Sequence, residues 1–227
     1  MESRYVVIVA GGRGRRMGND VPKQFLEIGN RPVLMLTIDR FARYHTSLNV
    51  IVVLPEDQIS TWQQLCKKHN FQVDHLVVRG GETRYGSVKN GLKQIGEEGL
   101  VAIHDGVRPF VSHETIDRCF NAAQISGAAI PVLEVVETIR KIGNQGSELV
   151  PRDDYRLVQT PQVFRVSLIK EAYYDQCNAS SFTDDASVAE AAGYEITLVK
   201  GNRENIKITS PFDMLIANAL IKQENNH

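Results

Sequence analysis

Residues 5–25 read YVVIVAGGRGRRMGNDVPKQF, and this stretch decides the fold that we expect. The apolar run from Tyr5 to Val9 predicts a buried strand, and glycines follow it directly. Glycine lets the backbone approach a ligand closely, so that N–H groups can point at phosphate oxygens. Four cationic side chains accompany this loop, namely Arg13, Arg15, Arg16 and Lys23. The sequence therefore predicts a loop that binds a triphosphate.

Two common nucleotide-binding motifs fit this loop poorly. The dinucleotide fingerprint G-x-G-x-x-G matches only in part, because Met17 stands where a glycine should follow Gly12 and Gly14. The Walker A motif needs Gly-Lys-Ser/Thr after four spacer residues, whereas Lys23 lies further along the chain, beyond a proline. A P-loop ATPase is therefore not expected. The plain alternative is a tight turn with solvated arginines, and the density of positive charge favours phosphate binding over it.

Composition and charge limit the class of protein. The chain has 227 residues, 42% of them hydrophobic and 23% charged, with a net charge of −1, which is typical of a globular domain. No apolar run reaches the length of a membrane span, and the N-terminus leads directly into a strand, so we expect a cytoplasmic protein. Near-neutral charge argues against nucleic-acid binding. The cysteines, Cys66, Cys119 and Cys177, show no metal-binding spacing.

Short apolar runs alternate with amphipathic stretches in the first half of the chain. The runs lie at 5–9, 50–54, 75–78 and 100–103, and the amphipathic stretches at 33–44, 57–69, 84–96 and 112–125. This alternation predicts an α/β fold of the Rossmann-like kind, a mostly parallel twisted sheet with helices on both faces. Ligands gather at the carboxyl ends of such strands. Residues 80–84 and 104–109 fall there together with the glycine loop.

Residues 129–158 break the alternation. Residues 129–142 read as one extended run, a turn follows at Gly143 to Gly146, and a second extended run leads from Leu149 into 156–158. We expect an extended β-arm at about 134–158. Because a hairpin buries too little surface to be stable alone, the arm should pack on a second copy of the chain in a homodimer. Further elements are expected in the same single domain, 1–227, as helices 166–176, 183–192 and 211–222 and a strand at 195–199.

Six blocks of sequence carry a resemblance to a known enzyme family. They are residues 10–17 with 22–25, Gly80 and Gly81 with Arg84 and 87–92, 104–109, Thr138 with Arg152, 159–162, and 183–187 with 205–209. In this order they resemble the 2-C-methyl-D-erythritol 4-phosphate cytidylyltransferases of the non-mevalonate isoprenoid pathway, over nearly the whole chain. The resemblance implies a nucleotide-diphospho-sugar transferase fold, CMP transfer from CTP with release of pyrophosphate, a requirement for Mg²⁺, and a dimer whose arm reaches into the neighbouring site.

The resemblance also implies roles for individual residues. Arg16 and Lys23 would contact the triphosphate, beside a loop formed by Ala10, Gly11, Gly12 and Gly14, and Lys207 would lie near the α-phosphate. The backbone of Gly80 and Gly81 and the Ser87 hydroxyl would select cytosine, although a tight turn alone also explains these glycines. Thr138 and Arg152 of the partner's arm would bind the phosphate of the second substrate, although ordinary cross-strand pairing also explains their spacing.

Asp105 ends the apolar run 100–103 and is the candidate Mg²⁺ ligand within the CTP site. Magnesium usually binds through one or two carboxylates plus substrate phosphates, so one aspartate suffices. The alternative is an ion pair with Arg108 that only shapes the turn; Arg108 is also a candidate contact of the second substrate's phosphate. Glu204 is a candidate second metal contact. His104 should be structural, because attack by a phosphate needs no general base.

Asp184 and Asp185 are adjacent carboxylates that could also suggest a metal site, but their sequence context indicates a helix start. Ser181 precedes Asp184 by three residues, in the pattern of a capping box. Acidic residues in the first turn also interact favourably with the helix dipole. We therefore expect these carboxylates to begin a helix rather than to bind a metal.

Three alternatives remain open. Cytidylyltransferases for ribitol 5-phosphate share the loop, the 104–109 block and the arm, while Ser87-Val88 and Arg140-Lys141 favour the erythritol enzymes. A catalytically silent nucleotide-binding module is the second alternative, and the intact cations and Asp105 argue against it. A dinucleotide-dependent dehydrogenase would need an acidic residue at the end of the second strand, which Glu56 supplies only approximately.

Overall fold

The chain is described by a computed structural model that covers residues 3–11, 21–144, 146–175 and 182–224. In chain order the strands are β1 (Arg4–Val9), β2 (Glu27–Ile28), β3 (Arg31–Pro32), β4 (Asn49–Leu54), β5 (Leu76–Arg79), β6 (Leu100–Asp105), β7 (Ala128–Glu134), β8 (Ile139–Gly143), β9 (Gly146–Val150), β10 (Arg156–Val158), β11 (Gln162–Arg165) and β12 (Thr197–Lys200). The helices are α1 (Val33–Tyr44), α2 (Glu56–Lys68), α3 (Arg84–Leu92), α4 (His113–Ser126), α5 (Val166–Asp175), α6 (Asp185–Ala191) and α7 (Pro211–Glu224). Short 3-10 turns occur at Lys23–Phe25 and Arg152–Asp154.

The predicted α/β architecture is confirmed. The main sheet has the order β10-β7-β11-β6-β1-β4-β5, with β12 on the other edge of β7. Strands β6, β1, β4 and β5 run parallel, and their carboxyl ends therefore meet at one edge. The strands that follow make the sheet mixed, because β11 pairs antiparallel with both β6 and β7 while β12 pairs parallel with β7.

Helices cover both faces of this sheet because successive residues of a strand point to opposite sides. In β1, Val6 and Ile8 face a core that includes residues of α1, α2 and α4, whereas Val7 faces a core built with α3, α5 and α6. Helix α3 packs very closely on β1, since a Cβ on Gly91 would lie 2.5 Å from Val7 Cγ1. Helix α7 packs beside the carboxyl edge of the sheet in a third, smaller core that contains Val107, Ile208 and Ala217.

The arm region differs from the expected pair of long strands. The extended run at 129–142 is not one strand, because β7 ends at Glu134 and β8 begins at Ile139. Strand β7 is held in the main sheet by β10, β11 and β12, whereas β8 and β9 form a separate two-stranded hairpin. The second run is interrupted by the Arg152–Asp154 turn before β10 returns to pair with β7. Only the middle of the arm is therefore a free hairpin.

The other boundaries agree with the sequence to within two residues, except in α3. That helix ends at Leu92 instead of residue 96 and is followed by a turn that leads to Gly99, whose φ of +101° suits glycine. Strand β11 has no counterpart among the predicted elements, because it is short and directly follows Pro161. Within the described ranges, every helix is too short or too polar to cross a membrane.

Candidate active site

A cleft of about 250 Å³ opens at the carboxyl ends of β1, β4 and β6. Among the described residues it is lined by Val9, Ala10, Gly11, Lys23, Gln24, Pro55, Gly81, Glu82, Thr83, Arg84, Ser87, Asp105, Val107 and Lys207. The topology thus brings together predicted site residues from four separate sequence blocks. Gly12 and Gly14 of the loop, with Arg13, Arg15 and Arg16, lie outside the described residues.

One side of the cleft is formed by the start of the glycine loop, where two hydrogen bonds fix the backbone of Ala10. Its N–H donates to Val53 O at 2.9 Å, and its carbonyl accepts from Gln24 Nε2 at 2.8 Å. Gly106 allows the ends of β1 and β6 to approach, since a Cβ there would lie 2.8 Å from Ala10 Cβ. The buried Gln24 was not singled out in the sequence, where only its position beside Lys23 pointed to it.

The loop before α3 forms the opposite side. Gly80 N–H donates to Leu54 O at 2.7 Å, Gly81 N–H donates to Ser87 Oγ at 3.1 Å, and Ser87 Oγ donates to Thr83 O at 2.9 Å. Gly80 is not among the lining residues of the described part, whereas Gly81 and Ser87 are. A Cβ on Gly81 would lie 2.8 Å from the carbonyl carbon of Gly86, so the turn requires glycine. Both glycine N–H groups are thus bonded within the protein, so Gly80 and Gly81 can offer a ligand only their carbonyl oxygens, and Gly81 O already lies 3.4 Å from Ser87 Oγ.

Asp105 lies among three cations at the floor of the cleft. Its Oδ2 is 3.0 Å from Arg108 Nε and 3.1 Å from Lys207 Nζ, and its Oδ1 is 4.0 Å from Arg84 Nε. Burial alone would raise the pKa of Asp105, but Lys207, Arg108 and Arg84 together lower it further, so the pKa lies well below its usual range. The sequence interpretation, which found only Arg108 nearby, was incomplete, because Lys207 and Arg84 are distant in sequence.

Arg108 supports Asp105 from behind the cleft. Besides its contact with Asp105, its Nη1 donates to Asn205 O at 2.9 Å, and its side chain is only 12% exposed. The Asp105–Arg108 ion pair, which the sequence offered as the alternative to a metal ligand, is therefore present. Arg108 is absent from the described cleft lining, and this geometry lends no support to its contact with a substrate phosphate.

His104 is part of a buried hydrogen-bonded chain beneath Asp105. Burial lowers the pKa of His104 to about 4, so the ring is neutral at pH 7. Its Nε2 must carry the proton, because it lies 3.0 Å from the Arg108 carbonyl, which can only accept. Nδ1 therefore accepts from Thr160 Oγ1 at 3.0 Å, and Thr160 Oγ1 accepts from the Asp105 N–H at 3.1 Å. This places His104 in the structural role expected of it; the role of Thr160 was not foreseen.

Glu204 lies away from the Asp105 carboxylate. Its Oε2 accepts a hydrogen bond from Asn202 Nδ2 at 3.1 Å, and it lines a separate groove with Ser112, Arg118 and Glu134. The described part of the chain contains no cluster of three or more His, Cys, Asp or Glu side chains that could hold a metal ion. The structure therefore does not bring Glu204 to Asp105 as a second metal contact.

Asp184 and Asp185 begin α6, as expected, but the capping residue differs. Asp184 itself is the N-cap: it accepts the Ser187 N–H at 3.0 Å, and the Ser187 hydroxyl accepts the Asp184 N–H in return at 3.4 Å. Ser181, which the sequence suggested, lies outside the described residues. Asp185 faces inward and forms an ion pair with Arg84.

Thr138 and Arg152 lie close together on the arm. Ile139 pairs with Val150 in the hairpin, so the residues just beyond this pair meet at its base, where both line a shallow pocket. Arg152 Nη1 donates to Val136 O at 2.6 Å. Neither residue is among the described residues that line the cleft of its own chain.

The chain is similar in sequence and in structure to a known family of cytidylyltransferases. The family described as IspD, 2-C-methyl-D-erythritol 4-phosphate cytidylyltransferase, matches residues 5–223. An enzyme with that description from Phocaeicola vulgatus is 57% identical over 219 residues, which are 96% of this chain and 100% of the relative. The crystal structure of 4-diphosphocytidyl-2C-methyl-D-erythritol synthase from Anaerococcus prevotii has a TM-score of 0.84 at 31% identity, covering 97% of this chain and 96% of the other. That of the cytidylyltransferase from Thermus thermophilus has a TM-score of 0.77 at 34% identity, covering 98% and 100%. The chain therefore belongs to the 2-C-methyl-D-erythritol 4-phosphate cytidylyltransferase family, nucleotidyltransferases of isoprenoid biosynthesis, as its six sequence blocks predicted.

Proposed function

We propose that the cleft is where this enzyme transfers the cytidylyl group of CTP to 2-C-methyl-D-erythritol 4-phosphate and releases pyrophosphate. The observation that carries the proposal is that Lys23, Asp105 and Lys207, from three distant parts of the chain, line one cleft with the Gly81 loop. Family membership favours methylerythritol phosphate over ribitol 5-phosphate. It also favours a transferase over a dehydrogenase or a silent binding module.

CTP would lie across the cleft with its base at the Gly81 loop and its triphosphate at the glycine loop. The loop at Gly80 and Gly81, called the base loop below, offers carbonyl oxygens, because the N–H groups of these two glycines are bonded within the protein. Carbonyls accept from the amino group of cytosine, whereas uracil would present a carbonyl at the same position. The triphosphate would lie against Gly11, with Arg16 and Lys23 as its cations.

The transfer itself needs positioning and charge stabilisation more than acid or base catalysis. A phosphate oxygen of the second substrate attacks the α-phosphorus, a new P–O bond forms, and the bond to the pyrophosphate oxygen breaks. Two polyanions must be held in line while charge develops on the α-phosphate. Lys207 is suited to this role, because its side chain is 42% exposed and extends to the cleft floor. A preorganised donor of this kind contributes about 3 kcal/mol.

Asp105 is the residue that would hold Mg²⁺. It is a single carboxylate with Oδ1 4.0 Å from Arg84 Nε, and such a donor set fits a cation that keeps waters and substrate phosphates as its other ligands. It would not fit a cation that requires a complete cage of protein ligands. When bound, Mg²⁺ supplies positive charge that offsets the negative charge of the phosphates.

We also infer a homodimer in which the arm of one chain completes the cleft of the other. The β8–β9 hairpin pairs only with itself in the described structure, and it leaves Ile142 79% and Leu149 66% exposed. Exposed apolar side chains on an isolated hairpin favour a protein partner. Thr138 and Arg152 would then bind the second substrate's phosphate in the partner's cleft. Residues 1–227 would form one catalytic domain with its arm at about 134–158, and the enzyme would work in the cytoplasm.

Pyrophosphate release with CTP and Mg²⁺ tests the proposal. We expect turnover with 2-C-methyl-D-erythritol 4-phosphate, little with ribitol 5-phosphate, and little when UTP replaces CTP. Asp105→Asn, Lys23→Ala and Arg16→Ala should each lower turnover about a hundredfold without unfolding the protein. Preference for ribitol 5-phosphate would show that the enzyme catalyses the same cytidylyl transfer to a different acceptor. Absence of pyrophosphate release with both acceptors would contradict the proposal.

A further inference from the structure

Two residues of the sequence blocks, Arg84 and Asp185, have no role in the chemistry described above, yet the structure joins them. Asp185 is fully buried at the start of α6. Its two carboxylate oxygens accept from Arg84 Nη1 at 2.8 Å and from Arg84 Nη2 at 2.6 Å. This is a bidentate pair, which fixes the orientation of the guanidinium group as well as its position.

Asp185 is itself held from two other elements, by its carboxylate and by the backbone at the start of α6. The Tyr173 hydroxyl, from α5, donates to Asp185 Oδ1 at 2.6 Å. Gln162, from β11, accepts the N–H groups of Asp185 and Ala186 through its Oε1 at 3.0 and 2.8 Å. Burial and the neighbouring Asp185 raise the pKa of Tyr173 well above its ordinary value, so this hydroxyl stays a donor. Asp185 is therefore a rigid anchor for Arg84.

The other edge of the Arg84 guanidinium faces the cleft. Arg84 lines the cleft between the base loop and Asp105, and its Nε lies 4.0 Å from Asp105 Oδ1. The two other cations near Asp105 are Arg108 and Lys207, and both contact its Oδ2. Arg84 is therefore the cation on the Oδ1 side in the described structure. Its distance from Asp105 is set by its bidentate contact with Asp185.

A buried ion pair of this kind is a poor means of stabilising a fold, because the cost of removing both charges from water offsets much of their attraction. We propose that Asp185 is a positioning residue for cytidylyl transfer. It holds Arg84 so that the guanidinium orients Asp105 from the Oδ1 side without turning into the space of the nucleotide. The inference rests on the assignment of Asp105 to the nucleotide site.

Loss of the Asp185 charge should release Arg84 into the cleft. In Asp185→Asn one carboxylate oxygen becomes an amide N–H₂, which cannot accept from the guanidinium. The guanidinium then no longer orients Asp105 from the Oδ1 side. We expect kcat/KM for CTP to fall about tenfold or more, while KM for the acceptor phosphate changes less than about twofold.

A neutral double variant, Arg84→Gln with Asp185→Asn, separates positioning from stability. Breaking one partner leaves an uncompensated buried charge and should lower Tm, whereas removing both charges should recover most of that loss. If Asp185 acts through Arg84, the double variant recovers Tm but keeps a low kcat/KM for CTP. The neutralised ion pair Arg31→Gln with Asp39→Asn, 2.5 Å apart in the wild type and absent from the described cleft lining, is the matched control.

Recovery of both Tm and kcat/KM in the double variant would overturn the proposal, as would near wild-type kcat/KM in Asp185→Asn. If Asp185→Asn alone fails to fold, the double variant decides the question. Asp105→Asn is measured in parallel, because its full activity would remove the assignment of Asp105 itself. A low activity of Asp105→Asn with a normal double variant would reject only the role of Asp185.

Discussion

Lys207 Nζ lies 3.1 Å from Asp105 Oδ2 and thereby joins the end of β6 to the segment before α7. Arg108 contacts the same oxygen, but it is also bonded to Asn205 O and its side chain is only 12% exposed, against 42% for Lys207. Moving Arg108 would break two hydrogen bonds of a largely buried guanidinium group, which is costly. Lys207 is therefore the cation that can leave Asp105 for a substrate phosphate at the lower cost.

Replacing Lys207 by Met should lower kcat about a hundredfold, because the charge that stabilises the α-phosphate is lost. Tm should change little, since Arg108 still pairs with Asp105. Steady-state pyrophosphate release and thermal unfolding measure the two effects. Lys67→Met, on the exposed side of α2, is the control for loss of a lysine charge. A loss of kcat below about threefold in Lys207→Met would contradict the catalytic role.

Gly81→Ala should raise KM for CTP strongly, because a Cβ there would lie 2.8 Å from the Gly86 backbone and force the base loop to shift. Gly86→Ala is the matched control on the other side of this contact. Its Cβ would meet Gly81 Cα at 3.5 Å, an ordinary contact, and alanine suits a helix better than glycine by about 1 kcal/mol. Initial rates with CTP and UTP measure both variants. Equal KM values of the two alanine variants for CTP would argue against a role of the base loop in binding CTP.

Acidification should destabilise the protein through His104. Its native pKa is about 4, while the unfolded chain has the ordinary value of 6.5. Between these values the unfolded state binds more protons, so the free energy of unfolding falls as pH decreases, by about 3 kcal/mol in all. Asp105 acts only at lower pH, because its native pKa lies below its ordinary value of 3.8.

Urea unfolding at several pH values measures this effect. His104→Asn should be less stable than the wild type at neutral pH, since it loses the ring that packs 4.8 Å from Phe41. Its stability should nevertheless depend less on pH between about 6.5 and 4. If the free energy of unfolding depends on pH equally in the two proteins, His104 is not the group that titrates.

Mixed dimers test whether sites are shared between chains. A heterodimer of Arg152→Ala and Lys207→Ala subunits has one cleft with an intact Lys207 that receives an intact arm. We expect about half of the wild-type activity per heterodimer, whereas each parent homodimer is nearly inactive. Lys23→Ala mixed with Lys207→Ala is the control, because both changes lie in the cleft and every site stays defective. If differentially tagged, purified heterodimers show no recovery, the arm does not complete the partner's site.

The sequence predicted the parallel half of the sheet well, because Tyr5 to Val9 and the later apolar runs carry the strand signal in their own residues. It located the arm but not its division, because β7 and β10 are held in the main sheet by distant strands. In the site, Asp105 ends a strand that its own residues predicted, and Lys23 was identified by its charge beside the glycine loop. Thr160 and Gln24 were missed, because their roles depend on hydrogen bonds to residues far along the chain.

By itself the sequence determined which residues could bind phosphates and where strands would end, since charge, glycine content and apolar periodicity are local properties. The tertiary structure alone decided that Asp105 is shared by Arg84, Arg108 and Lys207, and that Arg84 is held by Asp185. Contacts of this kind join elements far apart in the chain and act over a few ångströms. Their distances are set by the packing of helices on the sheet.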